Sequence, residues 1–292
     1  MSSQDAGLVP GAGSGAEADL RLSDCLIPGW RLAPSVRALV TTRNGGVSLA
    51  PFGRWRAGQA QPGGLNLGLH TGDDPQAVES NRRRLSLLTN AVPAWLTQVH
   101  GCDVVQAEQA LQALQQGAPA LSADASVTDR PGVACVVMVA DCMPVLLADA
   151  QGRAVGAAHA GWRGLLAGIL EETAARLVAL AGVNPEVHAF LGPSIGPQAF
   201  EVGAEVRAAF LDAASQEERE ATDSAFVPCN VKSGKYFADL AALARLRLAR
   251  VGIVEVAGGD RCTVSQADLF YSYRRDGQTG RFAGLTWIDP SA

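Results

Sequence analysis

The chain has little lysine and little histidine. Of its 24 basic residues only Lys232 and Lys235 are lysines, and the other 22 are arginines. An anion site here is therefore expected to be built from arginine. Four histidines, His70, His100, His159 and His188, are too few for a cluster of several copper ions, each of which draws on more than one imidazole. No run approaches the ~18 consecutive apolar residues of a membrane span, so no membrane partner is expected. Residues 1–20 lack the basic start and apolar stretch of a secretory signal. Gly234-Lys235 is followed by Tyr236, which excludes a Walker phosphate loop. No G-x-G-x-x-G follows an apolar strand, and nothing suggests a nicotinamide or flavin cofactor. The net charge of −5 and the lack of a basic block argue against nucleic acid as a partner. The six cysteines contain no CxxC pair. Reduced thiols in the cytoplasm are the expectation.

What is there suits a folded body. Apolar residues make up 48% of the 292 and charged residues 18%, enough to bury a sizeable core. Residues 1–23 are rich in Gly, Ala and Ser and read as a flexible extension, with one domain over 24–292. Val36–Thr42 reads as a strand entering a Gly-rich turn over Thr41–Gly46, and Arg54–Gly64 as a loop. Asp74-Pro75 opens a helix with apolar Val78, Leu85 and Leu88. Ala94–Val99 reads as a short strand and Ala107–Gln116 as a helix. The run Gly132–Val139 reads as a buried strand. Val145–Asp149, Arg153–Ala158 and Val187–Leu191 follow as strands, with a helix over Leu165–Leu180 closed by Gly182. Phe237–Arg250 reads as a helix and Ile253–Ala257 as a strand. The mixture implies an α/β (α+β) fold: a single layered domain with a mixed β-sheet core flanked by helices.

Three soft or basic side chains follow apolar strands: His100, Cys142 and His159. Sheets commonly place such ends along one edge, where ligand sites form. Two imidazoles and a thiolate suit Zn2+ with a fourth position open, or Cu2+, which accepts the same donors. The spacing of these residues matches no short metal motif, and three unrelated buried side chains remain the alternative at this point. Gly192-Pro193-Ser194-Ile195-Gly196 fits a G-x-S-x-G elbow. That elbow requires a histidine later in the chain, and none lies after His188. Arg43, Arg163, Arg274, Arg275 and Arg281 sit beside glycines or turn residues and could present a guanidinium to an anion. Asp141 could handle protons or orient a metal ligand, or cap a turn.

Seven blocks taken together resemble one family. They are Thr41-Thr42-Arg43-Asn44-Gly45-Gly46-Val47-Ser48, Leu65-Asn66-Leu67-Gly68, Gln98-Val99-His100-Gly101, Ala140-Asp141-Cys142-Met143-Pro144-Val145, His159-Ala160-Gly161-Trp162-Arg163-Gly164, Gly192 to Pro197, and Tyr273-Arg274-Arg275-Asp276-Gly277 with Gly280-Arg281. The chain is similar, over about residues 36–288, to the laccase-domain or YfiH family, also called multicopper polyphenol oxidase-like or peptidoglycan editing factor. The resemblance implies a single α/β layered domain and zinc on His100, Cys142 and His159. It implies purine nucleoside phosphorylase activity on adenosine, inosine, guanosine and methylthioadenosine, with adenosine deaminase activity. Other members of the family are copper-dependent polyphenol oxidases or muropeptide editors. Purine nucleosides and inorganic phosphate are then the expected partners, and a monomer or weak homodimer the expected assembly. Many members carry a cysteine in the turn after Gly-Pro-x-Ile-Gly-Pro, where this chain has Gln198-Ala199. Phosphorolysis needs cationic charge on phosphate. Arg43 with Asn66 is the expected holder, Arg163 a further substrate contact, and Asp141 the expected proton handler.

Overall fold

A strand buried on both faces needs apolar side chains at every position, and four segments of this chain supply them. The computed structural model describes residues 20–291. Val133–Val139, Met143–Asp149, Val155–Ala160 and Phe282–Ile288 are each buried along nearly their whole length. They divide between two sheets. The first runs Cys25–Leu26, Val36–Thr41, Phe282–Ile288, Val133–Val139, Val92–Ala94. It is antiparallel except for its last pair. The second runs Val256–Gly258, Val187–Leu191, Met143–Asp149, Val155–Ala160, Ala125–Thr128, Val104–Gln106, with parallel pairs at its two edges.

Alternation along the strands assigns each face to a layer. Ala134, Val136 and Met138 join Leu39, Leu85 and Trp287 under the helix Pro75–Thr89. Cys135, Val137 and Val139 point the other way and meet Leu146, Ala157 and Phe282 between the sheets. On the far face of the second sheet Val145, Leu147, Ala158 and Leu191 pack against Ile169, Leu170, Leu177 and Leu248. Those residues come from the helices Ile169–Ala181 and Leu240–Arg250. The order is helix, sheet, sheet, helix, the layered α/β fold that the sequence implies.

Several local expectations are corrected. Asn44–Ser48, read as part of a turn, is a strand. A Cβ on Gly46 would lie 2.2 Å from the Gly64 carbonyl oxygen, so glycine is what lets the two backbones approach. The expected loop at Arg54–Gly64 contains a hairpin, Arg54–Arg56 with Gln59–Gln61, turning through left-handed Ala57 and Gly58. The single helix expected over Leu165–Leu180 is two, Trp162–Ala167 and Ile169–Ala181, broken at Gly168 with φ 93°. Phe237 belongs to the strand Lys235–Ala238, and the following helix starts at Leu240 because Asp239 caps the Ala242 amide. The edge strand is Val256–Gly258, not Ile253–Ala257. Leu20 is 5% exposed and packs in the core beneath the first sheet, so the expected extension is anchored at that residue, while Arg21, Leu22 and Ser23 are exposed. Its residues 1–19 lie outside the described residues. No helix among the described residues is long and apolar enough to cross a membrane.

One buried amide ties the helix Pro75–Thr89 to this frame. Asn81 accepts from the Val47 amide and donates to Ser48 Oγ and to the Gly64 and Asn66 carbonyls. Asn81→Ala leaves these partners buried and unpaired and is expected to cost about 2–4 kcal/mol, read as a lower urea midpoint at unchanged slope.

Candidate metal centre

The three sequence-predicted ligands arrive from three kinds of local structure. Cys142 lies in the turn that leaves the first sheet at Val139 and enters the second at Met143. Asp141 makes that turn with φ 96°. His159 is inside the strand Val155–Ala160, opposite Pro144. His100 sits on a loop with φ 61°. The strand expected over Ala94–Val99 is confined to Val92–Ala94. Beyond it the Gln98 side chain donates to the Met138 carbonyl and accepts from the Met138 amide, bonds that a strand's own backbone would otherwise make.

A buried carboxylate organises the cluster. Asp124 has no exposed surface and accepts the Val99, His100 and Gly101 amides at 3.1, 2.9 and 2.7 Å. Its Oδ1 lies 2.8 Å from His159 Nδ1. Burial works to raise the Asp124 pKa, but the His159 bond and the Gly101 and Val99 amides outweigh it and hold it low. A permanent carboxylate therefore accepts the hydrogen bond from His159 Nδ1–H and leaves Nε2 to face Cys142. This is the arrangement by which metal-binding histidines are oriented.

The donor atoms of His100, Cys142 and His159 all lie within 4.8 Å of one another. Bonds of ~2.0–2.1 Å from nitrogen and ~2.3 Å from sulfur to a shared ion span at most ~4.4 Å, so donors this close reach one cation once the widest pair closes by a few tenths of an ångström. The two imidazole centroids are 4.7 Å apart, with planes crossing at 72°. A Cβ on Gly161 would stand 2.8 Å from Cys142 Sγ and 3.4 Å from His100 Cδ2, so glycine at this position keeps the cluster clear. Burial works to raise the Cys142 thiol. The charge of His159 and hydrogen bonds from both histidines overcome it and bring the pKa to about 6. Burial works to lower His159, but the thiolate and Asp124 raise it to about 9. The pocket thus stabilises a thiolate beside a positive charge, the charge pattern of a thiolate-bound cation.

The other expected site residues are elsewhere or occupied. Arg43 is 1% exposed. Its Nε and Nη2 donate to the Gly53 carbonyl and its Nη1 to that of Ala267. The guanidinium lies 4.6 Å from the Tyr271 ring centre and 5.4 Å from that of Trp55. It pins loops together and has no open face for phosphate. Asn66 is also buried. It donates to Thr71 and Asp73 and accepts the Gly68 and Arg281 amides, which fills its bonding capacity. Arg163 is exposed, stacked 4.4 Å over Trp162 one position into the helix beside the cluster. Asp141 accepts from Thr263 Oγ1 at 2.6 Å and from the Arg274 amide at 2.7 Å. It braces the Cys142 turn against the C-terminal segment and is not a free base. Ser194 of the elbow-like motif is buried, with its backbone tied to Arg261 and Thr263.

Asp124 is the residue of this cluster that the sequence reading missed. Its signal was an aspartate one residue before the four buried positions of Ala125–Thr128, but nothing in the sequence pairs it with His159, 35 residues on. Gly161 was part of a recognised block without a reason for being glycine.

Residues 37–289 match the family described as multi-copper polyphenol oxidoreductase laccase, and the chain belongs to that family. It is 50% identical over 263 residues to a purine nucleoside phosphorylase of Pseudomonas aeruginosa, covering 90% of this chain and 98% of the relative. It is 46% identical to the Escherichia coli purine nucleoside phosphorylase YfiH, covering 91% and 100%. Among solved structures, a Neisseria meningitidis protein of family DUF152 superposes with TM-score 0.78 at 46% identity over 91% of this chain and 99% of that one. YlmD from Geobacillus stearothermophilus gives 0.75 at 29% identity, over 94% and 99%.

Two outcomes follow for the cluster. A cation must displace the His159 proton, so affinity should fall about tenfold per pH unit from about 9 down to about 6. Below about 6 it should fall more steeply, because Cys142 then also holds a proton. Competition with a chelator of known pH dependence reads this slope. Asp124→Asn should weaken metal affinity about 10–100-fold and lower stability, measured by metal content after dialysis and by thermal melting.

Proposed function

We propose that the protein is a zinc-dependent purine nucleoside phosphorylase. Its substrates on this reading are adenosine, inosine, guanosine and methylthioadenosine, with inorganic phosphate as the second substrate and adenosine deaminase as a further activity. The observation that carries it is the His100–Cys142–His159 cluster, backed by Asp124, in a chain half identical to a purine nucleoside phosphorylase. Zinc on three protein ligands with an open position supplies Lewis-acid polarisation of an oxygen. Asp124 holds His159 so that its Nε2 would be available to the ion, and Cys142 and His100 would complete the donor set. Gly161 keeps the space beside them free of a side chain.

In phosphorolysis a phosphate oxygen bonds the ribose C1′ as the C1′–N9 bond breaks. The bonding pair passes to the purine, which takes up a proton. In deamination water adds at C6 and ammonia leaves. The protein's task in the first reaction is to orient an anion against a sugar carbon, which requires positive charge at a fixed place. The six free cysteines support a reducing cytoplasmic location, and we take the chain to act as a monomer or weak homodimer.

A copper-dependent polyphenol oxidase is the second reading, favoured by the description of the matching family. The histidine supply weighs against a multi-copper cluster. Four histidines are present, and His188 is instead 3.1 Å from Glu186. The test is a nucleoside panel on protein of known metal content, prepared without added copper. Hypoxanthine should form from inosine only when phosphate is present, with about one zinc per chain. Equal release in phosphate-free buffer contradicts the phosphorylase, and more than one copper per chain favours the oxidase.

A further inference from the structure

Phosphorolysis requires a cation that is fixed in place yet free to bond, and the arginines of the recognised blocks can be sorted by what their nitrogens already do. Arg43 is buried on carbonyls, as described above. Arg275 is paired to Asp276 and donates to the Thr263, Val264 and Phe270 carbonyls. Arg274 reaches the Glu201 carbonyl beside the Phe200 ring. Arg163 and Arg274 lie exposed, whereas Arg281 is part-buried and, unlike Arg43 and Arg275, keeps its Nε–Nη2 edge unbonded among the described residues.

Its backbone is locked. The Arg281 amide donates to Asn66 Oδ1 at 2.8 Å, and its carbonyl accepts the Leu67 amide at 3.0 Å. Its side chain is half locked. Nη1 donates to the Thr279 and Gly280 carbonyls at 3.1 and 3.0 Å. The stem crosses Gly68, where a Cβ would stand 2.9 Å from Arg281 Cγ. Nε and Nη2 have no partner among the described residues, and no carboxylate there forms an ion pair with this guanidinium. The free edge is the side of the guanidinium that takes two oxygens of one oxyanion in parallel.

Its location is set by strand register. Phe282 is paired with Val139, which puts Arg281 across from Ala140, beside Asp141 and Cys142. The Arg281 charge is within electrostatic reach of both. A half-buried cation facing a thiolate and a braced carboxylate is held near negative charge without being neutralised by direct contact.

We propose that Arg281 is the oxyanion-binding residue of this site, taking inorganic phosphate on its Nε–Nη2 edge next to the metal cluster. Asn66 and Gly68 are then positioning residues, one holding the Arg281 backbone and the other clearing its stem. This rests on the phosphorylase reading for the identity of the anion, but the binding itself does not need turnover.

The test is calorimetric titration of inorganic phosphate into metal-loaded full-length protein. Wild type should bind, Arg281→Gln should bind about tenfold to a hundredfold more weakly, and Arg281→Lys should fall between them because a point charge remains without the fork. Metal content and the KM for nucleoside should stay near wild type. Equal phosphate affinity in wild type and Arg281→Gln, or no binding by wild type, overturns the assignment. Phosphate held through Arg281 without phosphorolysis removes the phosphorylase and leaves the oxyanion site. Phosphorolysis with an unchanged phosphate KM in Arg281→Gln does the reverse.

Discussion

One buried carboxylate sets the geometry of this site. Asp124 receives three consecutive amides and an imidazole, and the site geometry follows from that convergence. A carboxylate without exposed surface is costly unless its oxygens are bonded, so the loop that carries His100 must wrap it. Wrapping holds His100 in a left-handed conformation, which costs about 1–3 kcal/mol for a residue with a side chain. Three amide bonds to a charged acceptor, at about 1.5–3 kcal/mol each, are enough to hold it there. The same carboxylate fixes the tautomer of His159. A single side chain thus places one ligand through its backbone and another through its ring.

The two-sheet architecture supplies the third candidate ligand. Cys142 lies where the chain crosses from one sheet to the other, and crossing in so few residues requires the left-handed Asp141. Asp141 fixes that turn through Thr263 and the Arg274 amide, and its own carbonyl accepts the Ile195 amide. The C-terminal segment and the Gly192–Pro197 segment therefore both support the cysteine. Several residues that sequence reasoning places in chemistry act in this supporting shell, and the pattern is general. Arginine and asparagine in glycine-rich turns have as much use for loop carbonyls as for substrate.

The central strands were legible because both faces of each are buried, which leaves an unbroken apolar run such as Gly132–Val139. The helix Pro75–Thr89 was legible from its Asp-Pro start and its periodic Val78 and Leu85. The three candidate ligands were legible as a set through the family blocks, and the structure brings their donor atoms together. Their spacing alone was uninformative, because they come from a loop, a turn and a strand. What was not legible depends on contacts distant in sequence. Gln98 replaces strand bonds through its side chain. Gly168 breaks a helix whose apolar pattern continues across it. Asp124 has no local mark of its bond to His159. Arg43 and Arg281 look alike in sequence, each in a glycine-containing block, and differ only in what surrounds the guanidinium.

The central claim is that one sulfur and two imidazole nitrogens share a single ion. X-ray absorption at the zinc edge on the purified protein tests this most directly. The account predicts one sulfur at ~2.3 Å and two imidazole nitrogens at ~2.0–2.1 Å, with a light atom in the fourth position. A shell of nitrogen and oxygen alone, with no sulfur at bonding distance, contradicts it.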